Sequence, residues 1–475
     1  MPALFVVAFT LLSGCFNCYP LCRACHTDRF LLNTPLVLTS GPVPGHLIRL
    51  AIPASLGMLF NTLYNLTDLW FAGLLSDDAL AAVSIAGSVF FLILAIGFGM
   101  QTGVSAVVSP EIGKEQKTRA AEVVDNALGL GLVVSVLVAL IGLWSAPVLV
   151  QLLGAEGQVE ALSLEYLLVT FIGAPAFIAS FVLAGALIGY GDTRSNRNTL
   201  AVGFCANFLI NPLLTFVLDW GVSGLAWSTV LIKLLSAIYL AYALKRHTGR
   251  MVRPKLAFHT WLDLLRQIIP ASITMISIIL GGFITVSFIG RFGSEYVAGY
   301  AVGLRLEQVL LLPALGLNSA VLALAGQNFG AGDLERVYKT YYSSLKIGAV
   351  MAFFSVPVML FLSPYMMSFF SANESIVATG STYLRVDALA FFAYVVLFQS
   401  TACLQAVQKP GFPMLLGLFR HLLLPAIVNY ILIVRMNLPL ISVFCSMVVI
   451  VLMSSALSHL YTRRKINALI NEAGR

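Results

Sequence analysis

Charge is what this sequence has least of. Of its 475 residues 10% are Asp, Glu, Lys or Arg while 59% are hydrophobic, too little charge to cover a soluble surface. The mean hydropathy of +0.92 agrees, so lipid is the expected solvent. Histidine is scarce as well. The six, at positions 26, 46, 247, 259, 421 and 459, show no metal-ligand spacing, and no nucleophile sits in a pattern with a base. An enzyme is therefore not expected, and neither is a resident cofactor.

Seven cysteines are present, and four of them, Cys15, Cys18, Cys22 and Cys25, fall in the first 45 residues. Cys22 to His26 spells C-x-x-C-H, which could attach a haem or hold a metal, and the apolar run ending in LLSGC could mimic a signal. No basic residue precedes that run and no second redox feature follows it. The reading adopted for residues 1–45 is a poorly structured N-terminal extension. Cys205, Cys403 and Cys445 lie singly in apolar spans and read as small packing residues.

Apolar stretches are what the chain has in abundance. About 20 apolar residues cross about 30 Å of hydrocarbon as a helix. Twelve such spans are expected, near 48–74, 79–108, 122–146, 161–188, 198–219, 222–244, 264–290, 297–325, 338–362, 380–407, 412–434 and 438–461. The loops between them alternate in charge. One set carries Lys114, Lys117 and Arg119; Arg194 and Arg197; Lys245 to Lys255; Arg336 and Lys339; Lys409; and Arg463 to Lys465. The other carries Asp77, Asp78, Glu156, Glu160, Asp219 and Glu374, with Arg291 and Arg435 as its basic residues. Basic loops mark the cytoplasmic side, so both termini are expected there. This bias accounts for the net charge of +7, and no nucleic-acid partner is implied.

The chain is also a tandem repeat. Leu47 to Ser55 reads LIRLAIPAS and Leu264 to Ser272 reads LLRQIIPAS, six of nine identical at an offset of 217. The same offset pairs Gly73 with Gly290, Gly113 with Gly330, Arg119 with Arg336 and Tyr166 with Tyr383. Six spans per copy send both halves into the membrane in the same direction, which is a transporter's build. The expected fold is an all-α integral membrane protein of two six-helix lobes, an N-lobe over 46–250 and a C-lobe over 251–475.

Polar groups inside such spans ask for a reason, since a mid-bilayer carboxylate costs on the order of 2.5 to 3.5 kcal/mol. Asp68 lies in the first span with Asn61, Tyr64, Asn65 and Thr67 close by, and Pro53 fifteen residues earlier can bend that helix. The alternative is an Asp that reaches the outer interface. In the fifth span Asn207 and Asn211 share a face one turn apart, followed by Pro212, and Thr229 follows in the sixth. Carboxamide and hydroxyl oxygens suit a hard monovalent cation or a protonated acid, although such groups also serve as interhelical packing bonds. In the second copy Arg305 and Glu307, and Arg385 and Asp387, place opposite charges in spans 8 and 10. They read either as an internal brace or as a binding or gating cluster. Lys233 reads as a snorkelling side chain and His421 as lying near a loop.

These elements resemble the multidrug and toxic compound extrusion (MATE) family: the Pro-to-Asp spacing of the first span, N-x-x-x-N-P, Thr229, GYGDTRSN at Gly189 to Asn196 and GQNFGAGD at Gly326 to Asp333. The resemblance covers roughly residues 46–460. It implies an antiporter of the bacterial inner membrane that exports organic, often cationic or lipophilic, compounds in exchange for H⁺ or Na⁺ by alternating access. It also implies that Asp68, Asn207, Asn211 and Thr229 form the N-lobe coupling site, that Pro53 is the bend, and that the partners are a small organic solute and the bilayer, with the chain acting as a monomer. Some relatives carry Asp where Asn211 stands, or Glu in the seventh span, where this chain has no acid from Arg266 to Ile289. With one carboxylate fewer the expected coupling ion is H⁺, with Na⁺ the alternative. A lipid-linked precursor flippase of the same wider superfamily is the alternative function.

Overall fold

The computed structural model describes residues 37–473, and the readings made for the first four cysteines lie outside them. Twelve spans run in the expected order: α1 (Val43–Leu75), α2 (Asp77–Gly113), α3 (Lys117–Leu152), α4 (Gly157–Ile172 with Ala174–Gly189), α5 (Thr193–Val217), α6 (Gly221–Thr248), α7 (Phe258–Phe292), α8 (Ser294–Gly330), α9 (Leu334–Ser368), α10 (Glu374–Ala406), α11 (Gly411–Arg435) and α12 (Ile441–Ala473). α4 is a bent pair with a 51° break, where Pro175 opens the second piece beside Gly173. Gly173 lies against Val230 of α6 with no room for a Cβ.

The helix ends follow from local chemistry. Ser76 ends α1 and caps α2, its hydroxyl accepting from Ala79 N at 3.0 Å. Asp77 and Asp78 in that first turn suit the positive end of the helix dipole. Asp192 caps α5 by accepting from Ser195 N at 3.0 Å and also meets His247 Nε2 at 3.2 Å. Burial opposes its charge, but the hydrogen bonds from His247 and Ser195 outweigh that and hold its carboxyl below the usual range. Asn373 caps α10. α1 continues through Pro53, and its repeat mate Pro270 is likewise inside α7.

The outer wall is a lipid-facing belt, with Leu140, Ile141 and Trp144 of α3 and Phe353, Phe354 and Phe361 of α9 exposed. Inside, α1 packs along α8 and α2 along α7, joining the lobes. The joint lies at the end that carries the basic loops. Gly99 and Gly103 of α2 admit the backbone around Ser272 and Ile268 of α7, Gly316 of α8 admits Ser55 of α1, and Gly326 and Gly330 admit Ser109 and Pro110. These glycines allow a backbone approach that any Cβ would prevent. Hydrogen bonds seal the same end. Gln408 Nε2 donates to Ala106 O at 2.7 Å, Gln267 Nε2 to Gln408 Oε1 at 2.9 Å and Gln327 Nε2 to Gly189 O at 2.9 Å. A core of Met100, Leu128, Ile178 and Leu187 continues into Trp261, Leu264 and Ile268 of α7. Toward the other end α2 and α8 again carry exposed residues, among them Ser84, Phe91, Arg305 and Val309. The lobes are thus closed at the basic end and splay from it.

Two segments outside the spans are tied down. Leu38 is fully buried; its carbonyl accepts from Asn328 and Arg336, and Ser40 O accepts from Arg336 at 2.8 Å. The connector between the lobes is strapped to α3. Asp125, itself fully buried, accepts from Arg250 Nη2 at 2.8 Å and Arg253 N at 2.9 Å. Asn126 accepts from Ala257 N at 2.9 Å.

Candidate functional site

Helical spacing of four places Tyr64 and Asp68 on one face of α1, Asn207 and Asn211 on one face of α5, and Thr229 and Lys233 on one face of α6. The three faces meet inside the N-lobe. Asn207 Nδ2 donates to Asp68 Oδ1 at 2.8 Å and Asn211 Nδ2 to the same oxygen at 2.9 Å. Thr229 donates to Asp68 Oδ2 at 3.3 Å, and Tyr64 OH donates to Thr229 Oγ1 at 3.0 Å. Asp68 is 7% exposed and both asparagines are fully buried. The four residues expected from the sequence therefore form one hydrogen-bonded constellation, and Asp68 does not reach for the interface.

The donors define what this site can hold. Both carboxamides turn their N–H groups to Asp68, so the carboxylate is held by three donors. Asn211 Oδ1 is left as a buried acceptor without a partner, as is Thr215 Oγ1 nearby in sequence. A proton on Asp68 Oδ2 would turn that oxygen into a donor toward the Thr229 hydroxyl, whereas a proton on Oδ1 would face the two Asn N–H groups unless a carboxamide reorients. An orphaned acceptor in the same cluster gives that reorientation a destination. Among the described residues no group of three or more His, Cys, Asp or Glu could hold a metal ion.

Lys233 departs from its sequence reading. It does not snorkel to an interface: its Nζ lies 5.9 Å from the ring centroid of Tyr64, whose hydroxyl bonds Thr229. The signal was its position one turn beyond Thr229. His421 also differs from expectation, lying within a wide turn of α11 at Phe419–Leu423, with Arg420 Nη2 at 2.6 Å from its Nε2.

The C-lobe charges do not pair with one another. Glu307, 4% exposed, accepts from Tyr383 OH of α10, and Asp387, 1% exposed, accepts from Tyr394 OH at 3.1 Å. Arg385 is exposed and donates to Leu360 O of α9 at 3.2 Å. Arg305 is exposed and makes no ion pair or hydrogen bond among the described residues. The physical reason is the helix itself: residues two apart point about 200° apart. Glu307 and Asp387 thus turn into the lobe while Arg305 and Arg385 turn out of it. The brace between α8 and α10 is the Tyr383–Glu307 bond in place of an Arg–acid pair. Thr285, the repeat mate of Asp68, bonds to its own helix at Gly281 O.

Comparison with known proteins agrees with this geometry. The family model described as MatE matches the chain twice, over residues 53–216 and 270–431, a second appearance of the offset of 217. The chain is 27% identical over 398 residues to a protein of Shewanella oneidensis named FAD transporter, covering 82% of this chain and 87% of that one. It is 25% identical over 376 residues to the multidrug export protein MepA of Staphylococcus aureus, covering 78% and 82%. A solved structure described as the outward-facing conformation of a multidrug resistance MATE family transporter superposes with a TM-score of 0.84 at 26% identity, covering 91% of this chain and 98% of that one. With matching repeats, twelve spans and a two-lobed bundle, this chain belongs to the MatE family and is a multi-pass membrane transporter of the multidrug efflux type.

Proposed function

We propose that this protein exports organic solutes from the cytoplasm in exchange for protons, with Asp68 as the coupling group. One observation carries the reading: a lone carboxylate, buried within the N-lobe, is held by Asn207, Asn211 and Thr229, all of which present N–H or O–H to it. Such a set binds a carboxylate directly and trades with a proton. A Na⁺ ion would require carboxamide oxygens turned inward and would sit beside the cation of Lys233.

Alternating access supplies the cycle. Basic loops mark the cytoplasmic side, so the closed end faces the cytoplasm, both termini lie there, and the cleft opens outward across the inner membrane. Protonation of Asp68 from outside alters its bonds to α5 and α6. The movement of α1 that follows, with Pro53 as its bend, changes the packing of α1 against α8 and so the balance between the two states. Both lobes belong to one chain, so the working unit is a monomer. The flippase alternative is less well supported, since a pyrophosphate would ask for several cations and Arg305 alone lies free on the cleft face of α8.

The test is transport in proteoliposomes with imposed gradients. A pH gradient should drive solute uptake into inside-out vesicles. If a Na⁺ gradient directed out of those vesicles sustains solute uptake while an ionophore holds the proton gradient at zero, the proton assignment is wrong.

A further inference from the structure

The closed base fixes which way each central helix faces. Ser55 of α1, Gly99 of α2, Ser272 of α7 and Gly316 of α8 all point across the lobe boundary, because each meets a partner from the other lobe there. Eleven residues are close to three full turns, so a residue eleven positions further toward the open end looks the same way from about 16 Å above. Those residues are Leu66, Ser88, Phe283 and Arg305. Leu66 is 39% and Phe283 50% exposed, and Trp70, one turn above Leu66, is 41% exposed. They form a ring of apolar and aromatic surface, one hydroxyl and one guanidinium around the cleft.

Arg305 has no counter-charge in that ring. Glu307 lies on the opposite face of α8 and is bonded to Tyr383. Asp68 is buried inside the N-lobe and occupied by its own donors. Asp387 faces Tyr394 within the C-lobe. An unpaired charge at membrane depth is stable only beside water or an anion, so it marks a pathway. A guanidinium fork matches the paired oxygens of phosphate or carboxylate.

We propose that the cleft takes amphipathic organic anions, compounds with a flat apolar body that lies on Phe283 and Trp70 and a phosphate or carboxylate that Arg305 holds. This names the charge class of the exported solute and rests on the export reading for its direction of movement. The charge on Arg305 disfavours an organic cation at the same level of the cleft. An anion neutralises it and enters a site that is otherwise apolar.

Two compounds that share one ring system and differ in a single phosphate test this: riboflavin and riboflavin 5′-phosphate, followed by flavin fluorescence with the purified full chain. The wild type should bind the phosphate ester on the order of tenfold more tightly, the worth of one charge-assisted contact. The preference should shrink at high salt. Arg305→Gln should abolish the preference while leaving riboflavin affinity within about twofold, which also reports that the variant is folded; Arg305→Lys should keep part of it. Equal binding of the two flavins by the wild type overturns the proposal, as does a preference that survives in Arg305→Gln. A wild type that prefers the phosphate ester but moves neither compound under a gradient would overturn the export reading and leave the anion site standing.

Discussion

Gly316 of α8 lies against Ser55 of α1 with no space for a Cβ, and Ser55 Oγ reaches Pro313 O at 3.5 Å. This contact exists only while the lobes are closed at the basic end. Gly316→Val should therefore destabilise that state selectively, by about 1 to 3 kcal/mol, the usual cost of overpacking. Spin labels on the ends of α2 and α8 that carry the basic loops should show longer distances in the variant. Unchanged distances in a folded protein would mean that the base of the cleft yields elsewhere.

Asp68→Asn should abolish gradient-driven efflux while leaving the protein inserted, folded and able to bind solute. The substitution keeps the shape of the side chain but removes the group that takes and releases the proton. Asn207→Ala should have an intermediate effect, since it removes one of three donors to a buried carboxylate, a loss of about 1 to 3 kcal/mol. Thr285→Asp should not rescue Asp68→Asn, because Thr285 faces its own helix and lacks the two asparagines. Normal transport by Asp68→Asn in vesicles would remove the N-lobe site from the mechanism.

The spans and the main constellation were legible in the sequence for specific reasons. Runs of about 20 apolar residues with charges only between them admit little besides membrane helices. Asp68, Asn207 and Asn211 stood out because polar groups are rare where lipid is the solvent. Opposite charges in spans 8 and 10 suggest a brace between them, but the 100° turn per residue sends Arg305 and Arg385 to the face opposite Glu307 and Asp387, so the acids meet tyrosines instead. Lys233 was legible only in part, for a different reason. Its depth is set by the sequence, but whether it points toward lipid or toward Tyr64 depends on how α6 is rotated against α1. The break in α4 had a local signal in Gly173 and Pro175, yet the length of the apolar run concealed it.

Lys233→Met should widen the choice of coupling ion. Two unit charges held within one such cluster repel by about 2 to 4 kcal/mol at an effective dielectric near 20, a factor of tens to several hundred in occupancy. With that cation removed, the oxygens of Asp68, Thr229 and Asn211 become accessible to Na⁺. An inward Na⁺ gradient should then support measurable solute movement in vesicles where the wild type shows none. Lys233→Arg should behave as wild type. If Lys233→Met is driven by protons alone, the lysine does not determine ion choice.

Orientation can be read with reporter fusions. Those after residues 117, 250 and 465 should report cytoplasm, and those near 77, 156 and 373 the outside, because the basic side chains lie in the first set of loops. Reversal at two or more sites would overturn the twelve-span topology.

The strap between the lobes should matter for stability more than for chemistry. Asp125 is fully buried, and its carboxylate receives Arg250 Nη2 and Arg253 N while its backbone carbonyl receives Lys255 N at 3.0 Å. Gly129, one turn along α3, lies directly against the Lys255 backbone with no space for a side chain. The connector is therefore seated on the N-lobe by main-chain contacts as well as by the ion pair, and the start of α7 is fixed by Trp261 Nε1 donating to Asn126 O at 3.1 Å. Asp125→Ala leaves the Arg253 N–H without its acceptor and Arg250 without its counter-charge. Because Arg250 is partly exposed, solvent recovers much of its share, so the loss expected is that of one buried backbone donor, about 1 to 3 kcal/mol. Melting of the purified protein should fall by a few degrees, and protease should cut within residues 249–257 faster than in the wild type. Transport per folded molecule should change little, since the strap does not touch Asp68 or the cleft. A variant that melts like the wild type yet fails to transport would instead make the strap part of the rocking motion, with Asp125 transmitting the state of one lobe to the other.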